Sequence, residues 1–445
     1  MIRIFSFFLL AGALVLSGCG GDNGNGGSGS NSTPATQAAL KQNVNHIIFM
    51  FQENRSFDSY FGQLNAYRTA NGFGADVDGL DRVVNPSNKT RDGSSTIASF
   101  KLLTACTENV SPAWSESHVQ RNRNTPDITN PATMDGFVLS AAGYAAANGL
   151  NDLVGQRAMG YYDQDVLPFY YFMATNFATS DRWFSPVLSK TEPNRLFGLA
   201  ATSDGWTAVP QAVLSQKTIF HLIQDAGVTW KVYTTDPGLT FLTYFQPFAT
   251  NHADKIVPVS QYFTDLNNGT LPSVVLIEGG YSSGLDEHPK NNVQTGAAHV
   301  ARLLDALMKS SSWKDSVFLL TYDEGGGLYD HVPPAPAANP DGIAPKLQGE
   351  TITNFADNFS MTGFRVPLIV ISPFTRKGYV SHATADFTAI LKFIEMRFDL
   401  PNLNARDAAQ PDMLEFFDFS NPPWATPPQL PAQPVSAPCY FNALP

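Results

Sequence analysis

The stretch Val44–Phe51, VNHIIFMF, runs straight into Gln52-Glu53-Asn54, and Asp315–Tyr322, DSVFLLTY, runs straight into Asp323-Glu324. Both runs are short, rich in β-branched and aromatic residues and poorly alternating, the pattern of a strand covered on both faces. In an open parallel sheet the carboxyl ends of the strands share one rim, where ligands bind. Two polar doublets far apart in the chain therefore converge if both strands belong to one such sheet. Their carboxylates and amide carbonyl are hard oxygen donors, suited to a shared divalent cation.

Runs of the same kind recur at Val228–Tyr233, Ser273–Glu278 and Val366–Ser372. Helical spacing appears in Val300, Leu303, Leu304 and Leu307, and again in Phe387, Ile390, Leu391 and Ile394. No repeat or low-complexity break interrupts the alternation, so one large α/β domain with a central, mostly parallel sheet is expected over residues 40–421. The stretch Asn65–Asn130 reads as an irregular insertion, and Pro422–Pro445 as a proline-rich tail wrapping the surface in extended conformation.

The N-terminus carries Arg3, an apolar run from Ile4 to Leu16 and then Leu16-Ser17-Gly18-Cys19. A basic start, a short apolar core and small residues before a cysteine describe a lipoprotein signal, residues 1–18, with Cys19 as the lipidated residue. A Gly/Asn/Ser-rich stretch follows, so residues 19–39 are read as lipidated cysteine and flexible linker. The expected location is that of an exported bacterial lipoprotein, in the periplasm or cell envelope and membrane-anchored through the lipid. In an oxidising compartment Cys106 and Cys439 pair as a disulfide or remain two buried thiols; the sequence leaves both open. With Lys plus Arg at 28 against Asp plus Glu at 39, the chain is acidic and shows no basic cluster that would track a phosphate backbone. Nucleic acid is therefore not an expected partner.

A further segment, Lys190-Thr191-Glu192-Pro193-Asn194-Arg195, places a hydroxyl just ahead of a proline that can open a helix. The exposed amides of a helix N-terminus favour a bound phosphate and a developing alkoxide, so Thr191 is a candidate nucleophile, or else a residue that only caps. Metal-type ligands together with such a hydroxyl point to phosphoryl or sulfuryl ester hydrolysis. The acidic doublets also have a plain reading as solvated turns, and the histidines His118, His288 and His331 one as surface or core residues.

Several stretches appear together and in order: ENRSFDSYFG from Glu53, MGYYDQDVLPFYYFMA from Met159, KTEPNRLFG from Lys190, DEHP from Asp286, TYDEGGGLYDHVPPA from Thr321 and FRVPLIVISPF from Phe364. From Asn45 to about Leu400 the chain resembles the bacterial phosphoesterase family of phospholipase C and acid phosphatase A, which is similar in fold to the alkaline phosphatase superfamily. The resemblance implies a three-layer sandwich and hydrolysis through a covalent phosphothreonine on Thr191. It implies one divalent metal ion, Ca²⁺, Mg²⁺, Mn²⁺ or Zn²⁺, held by Glu53, Asn54, Thr191, Asp323 and Glu324, with His288, His331 and His118 as catalytic histidines. Gly325-Gly326-Gly327 departs from the pattern, since related chains commonly carry Asn-Asp there. A threonine nucleophile resembles the phospholipase C branch, which implies a phosphoester substrate of phospholipid type. The missing C-terminal extension keeps a broad acid phosphatase as the alternative. From a different class, a non-catalytic lipoprotein binding a cation or a phosphorylated ligand also fits the acidic rim.

Overall fold

A computed structural model describes residues 33–354, 356–442 and 444. The proposed signal, residues 1–18, and Cys19 lie outside the described residues. Eight strands form the main sheet: β1 His46–Gln52, β2 Ala178–Ser180, β3 Trp230–Thr234, β4 Ile256–Pro258, β5 Val274–Glu278, β6 Ser316–Tyr322, β7 Leu368–Ile371 and β8 Tyr379–Ser381. Their spatial order is β8-β2-β7-β6-β1-β5-β3-β4, and only β7 runs antiparallel to its neighbours. Every residue of β5, β6 and β7 is buried, which is why these strands read as unbroken apolar runs. The edge strands β4 and β8 and the inner strand β2 have three residues each, too short to leave a period in the sequence.

Helices cover both faces and complete three layers. The helices Pro34–Asn43, Thr191–Ala200 and Ile219–Asp225 pack around Ala389–Phe398 on one face, where Phe49 and Phe51 of β1 meet Phe220 and Phe387. Val293–Lys309 packs with Pro168–Asn176 and Ser260–Asn268 on the other. In Val293–Lys309 the expected stripe Val300, Leu303, Leu304 and Leu307 is fully buried. Each such side chain contributes roughly 1.5–3 kcal/mol of hydrophobic stabilisation. No helix among the described residues is long and apolar enough to cross a membrane.

Two boundaries differ from expectation. Residues 34–39 do not belong to a linker: Thr33 accepts a hydrogen bond from the Thr36 amide and Pro34 supplies a preset φ, so a helix starts at Pro34. The stretch 65–130 is irregular only in part. It holds the hairpin Ser87–Lys89 with Thr96–Ala98 and the helix Trp114–Arg121, none of which joins the main sheet. The tail, residues 422–445, carries no helix or strand in its described residues. Trp424 packs against Phe177 with ring centroids 4.7 Å apart, and Cys439 forms a disulfide with Cys106.

Glu395 on the helix Ala389–Phe398 is buried beside Asp407, with Asn402 Nδ2 donating to its Oε2 at 2.6 Å. Burial, and then the hydrogen bond and charge of Asp407, push its carboxyl up to about 9. A folded-state pKa above the unfolded value means the stabilising contribution is whole below the ordinary carboxyl range and fades as pH rises toward about 9. Glu395→Gln should therefore gain on the parent as pH rises. Urea unfolding at about pH 5 and about pH 9 should show the difference in stability shifting toward the variant by on the order of a few kcal/mol; an equal difference at both pH values refutes the assignment.

Candidate active site

Parallel pairing aligns the strand ends. Gln52 of β1 stands opposite Tyr322 of β6, and Phe51 stands opposite Glu278 of β5, so Glu53-Asn54 and Asp323-Glu324 leave the sheet side by side. Asp323 Oδ1 accepts from the backbone amides of Asn54 at 3.1 Å and Glu324 at 2.8 Å, which locks the two doublets together. Asn54 adopts φ +62°, turning the chain sharply at the end of β1. Gly326, φ +67°, packs so closely that an added Cβ would lie 2.3 Å from the Asn54 carbonyl oxygen. Glycine there is a steric requirement of the approach between the two loops.

Glu53, Asn54, Thr191 and His288 line one cleft of about 460 Å³, while Asp323 and Glu324 are buried beside Asn54 and do not line it. Thr191 is the first residue of the helix Thr191–Ala200, and Pro193 falls in its first turn, where no amide is missed. Asn194 holds the approach to the helix: its Nδ2 donates to Ser189 O at 2.8 Å and its Oδ1 accepts from Val187 N at 3.1 Å. Thr191 Oγ1 donates to Glu53 Oε2 at 3.3 Å. His288 Nδ1 meets Asp286 Oδ2 at 2.7 Å, while Nε2 faces Glu53 Oε2 at 3.7 Å. Burial alone would lower the His288 pKa, but the Glu53 charge and the Asp286 hydrogen bond outweigh it and hold the imidazole above its ordinary value.

Three cleft residues carry weight that the sequence did not assign to them. Arg195, buried, reaches Glu53 Oε1 at 2.5 Å, Glu278 Oε2 at 3.4 Å and Asp323 Oδ2 at 3.8 Å. Its place one helical turn beyond Thr191 was the available signal. Glu278 closes a buried strand just as Gln52 and Tyr322 do, so the rule that singled out the doublets applies to it too. Asp286 orients His288, a task suited to the acidic residue two positions before it.

The other two histidines do not line this cleft. His118 is fully buried between Trp114 O, 2.7 Å from Nδ1, and Asp357 Oδ2, 3.1 Å from Nε2. His331 spans Asp58 Oδ2 at 2.6 Å and Asp78 Oδ1 at 3.1 Å. Both histidines have their ring nitrogens committed to these partners, and neither lines the cleft with Thr191 and His288.

Oxygen donors for a cation occur in two places. Asp58, Asp330 and His331 offer ligand atoms within 4.8 Å of one another. That group is already charge-compensated, because Arg365 donates to Asp58 Oδ1 at 3.0 Å and Asp330 Oδ1 at 2.8 Å. Beside the cleft, by contrast, the buried atoms Asn54 Oδ1, Asp323 Oδ2 and Glu324 Oε1 accept no hydrogen bond from any described residue. Burial, then the charge of Glu53, pushes Asp323 well above the carboxylate range; burial and neighbouring carboxylates push Glu324 up as well. Orphaned oxygens and crowded negative charge fit a hard divalent cation held by Asn54, Asp323 and Glu324 with Glu53 and Thr191 adjacent. No described cysteine lies in the cleft, so the donor set does not suit a soft metal.

Residues 44–401 match the Phosphoesterase family. The chain is similar to phospholipase C A of Mycobacterium tuberculosis, 30% identical over 431 residues that span 87% of this chain and 79% of that one. It is also similar to non-specific phospholipase C5 of Arabidopsis thaliana, 31% identical over 77% of this chain and 66% of that one. Among solved structures it is similar to a protein of the alkaline phosphatase superfamily from Vibrio parahaemolyticus, at TM-score 0.34 and 12% identity over 79% of this chain and 77% of that one. The chain belongs to the phosphoesterase family and is a phosphoester hydrolase, not the non-catalytic binding lipoprotein that an acidic rim alone would allow.

Proposed function

We propose that the cleft hydrolyses phospholipid-type phosphodiesters, as a phospholipase C does, by double displacement through a phosphothreonine on Thr191. The observation that carries this reading is the meeting of Thr191, His288 and the Glu53-Asn54 doublet in one cleft, with Asp323 held against Asn54 beside it. In the first step Thr191 Oγ attacks phosphorus in line with the leaving alcohol and passes its proton to Glu53 Oε2, the base it already faces. His288, oriented through Nδ1 by Asp286, gives the proton on Nε2 to the departing oxygen. In the second step a water attacks the phosphothreonine, losing its proton to His288 Nε2, and the threonine oxygen leaves and recovers its proton from Glu53. Glu53, Asn54, Asp323, Glu324 and Thr191 would hold a divalent cation, which when bound would supply Lewis-acid charge to the attacking and phosphoryl oxygens. Arg195 holds the Glu53 carboxylate in place.

Phospholipase C chemistry is favoured over the acid phosphatase alternative by the two relatives' names and by the cleft's mouth. Leu239 and Tyr281 line it and stand 46% and 62% exposed, giving an apolar border to the leaving-group side. The export reading is carried by the Leu16-Ser17-Gly18-Cys19 segment and agrees with the Cys106–Cys439 disulfide, which suits an oxidising compartment. The lipid on Cys19 then anchors the enzyme at a membrane surface of the cell envelope.

Thr191→Ala should lower turnover by at least ~10³-fold with thermal unfolding unchanged. The parent should release diacylglycerol from phosphatidylcholine faster than phosphate from p-nitrophenyl phosphate. Parent-like activity in Thr191→Ala removes the nucleophile, and the reverse substrate preference favours the phosphatase.

Treatment with a chelator should cut kcat by about 10²-fold or more and lower the melting temperature. Adding back Ca²⁺, Mg²⁺, Mn²⁺ and Zn²⁺ separately, with elemental analysis of the purified protein, identifies the ion; a metal-free enzyme of full activity sinks cation dependence.

Growth of the expressing bacterium with labelled palmitate should label the parent protein and not Cys19→Ala. Equal labelling, or none in either, rejects the anchor.

A further inference from the structure

Beneath the cleft lies a carboxylate that the steps above leave unused. Glu287 has no exposed surface and, unlike its neighbours Asp286 and His288, does not line the cleft. Its Oε1 accepts from Gln52 Nε2 at 3.0 Å and from Tyr170 Oη, and its Oε2 accepts from Tyr60 Oη at 2.6 Å and Tyr322 Oη at 2.7 Å. Four donors saturate both oxygens of one side chain.

The origin of those donors matters more than their number. Gln52 immediately precedes Glu53-Asn54, Tyr322 immediately precedes Asp323-Glu324, and the two are register partners at the ends of β1 and β6. Strand alternation turns them to one face of the sheet, onto Glu287. The backbone around Glu287 is tied to the same segment, since Arg55 Nε and Nη2 donate to the Glu287 carbonyl at 3.0 and 2.6 Å and Glu53 N donates to Asp286 O at 2.8 Å.

Glu287 itself holds φ +71°, a left-handed conformation unfavourable for a side-chain-bearing residue. Such a turn persists only where its surroundings over-determine it. Gly296 completes the enclosure: a Cβ there would lie 2.2 Å from Glu287 Cγ, so the helix Val293–Lys309 is notched to admit the side chain.

We propose that Glu287 is a positioning residue for the hydrolysis: its buried carboxylate pins the turn that carries Asp286 and His288 to the ends of β1 and β6, and so sets the imidazole against Thr191 and Glu53. It touches no substrate and acts through His288. The inference rests on the reading of the cleft as the active site.

A double-mutant cycle between Glu287→Gln and His288→Ala tests it, with kcat and KM measured on p-nitrophenyl phosphate and phosphatidylcholine and folding followed by circular dichroism. Glu287→Gln keeps the size of the side chain but turns one acceptor into a donor facing tyrosine hydroxyls. Displacement of a reacting group by about 1 Å is worth on the order of 10²-fold, so Glu287→Gln should lower kcat by about that factor with KM within about threefold of the parent. In the His288→Ala background the same change should alter kcat by less than about threefold, because the group it positions is gone. Parent-like kcat in a folded Glu287→Gln enzyme, or effects that multiply in the double variant, overturns the proposal. If Glu287→Gln fails to fold, Tyr322→Phe, which removes a single donor, should still lower kcat by about tenfold at unchanged KM; no loss there overturns it equally. A Thr191→Ala control separates the two claims. Turnover retained in Thr191→Ala removes the active-site reading itself, whereas an inactive Thr191→Ala beside a parent-like Glu287→Gln removes only the role of Glu287.

Discussion

The parallel register of β1 against β5 and β6 is the constraint on which the rest of the molecule depends. With Phe51 opposite Glu278 and Gln52 opposite Tyr322, three segments release acidic residues at one level of the sheet. A one-residue slip would turn every side chain of a strand to the other face and scatter this cluster. Aligned, the carboxylates are buried within reach of one another, an arrangement that costs several kcal/mol per ion unless positive charge is supplied. Arg195 supplies part of it, and it comes from the helix that opens with Thr191. One short motif thus delivers a hydroxyl, the helix end behind it and a counter-charge for the carboxylate that faces the hydroxyl. The guanidinium suits this task because its fixed fork of donors reaches several carboxylates at once.

A second arginine organises the other side of the rim. Arg365, fully buried, ties Asp58 to Asp330 and also donates to the carbonyls of Asp78 and Asp181. This network joins the loop after β6 to the start of the helix Phe57–Phe61, so the segments carrying both oxygen-donor doublets are braced from behind. His331 belongs to that brace. Its two ring nitrogens lie between carboxylates, where an imidazolium donates to both, and this explains a histidine beside the acidic doublets that does not enter the cleft.

The tail and the insertion contribute through a shared anchor. Cys439 is bonded to Cys106, and Ala105 N donates to Pro438 O at 2.7 Å while Ala105 O accepts from Val293 N at 3.0 Å. Lys290, two residues beyond His288, is likewise tied through its amide to Thr107 O. The segment near Cys106 therefore sits between the C-terminal tail and the chain that follows the DEHP turn, and a crosslink formed 333 residues apart in sequence bears on the placement of that turn.

Periodicity alone determined the α/β class, the buried central strands and the two packing helices, and strand-end position put both acidic doublets at one rim of the sheet. These are local properties: apolar runs report burial on both faces, and a polar residue ending such a run must lie at a sheet rim. The motif resemblance chose the nucleophile over the plain cap for Thr191 and gave His288 a catalytic role. Only the tertiary structure decided that His118 and His331 face elsewhere, that Arg195 and Glu278 complete the charge cluster, and that Glu287 turns inward while its neighbours turn out. These outcomes depend on which residues from distant segments come to stand around a given side chain. A histidine beside one buried acid has both nitrogens engaged and beside another is open to a cleft, and no spacing along the chain distinguishes the two, because the partners that make the difference arrive through the fold.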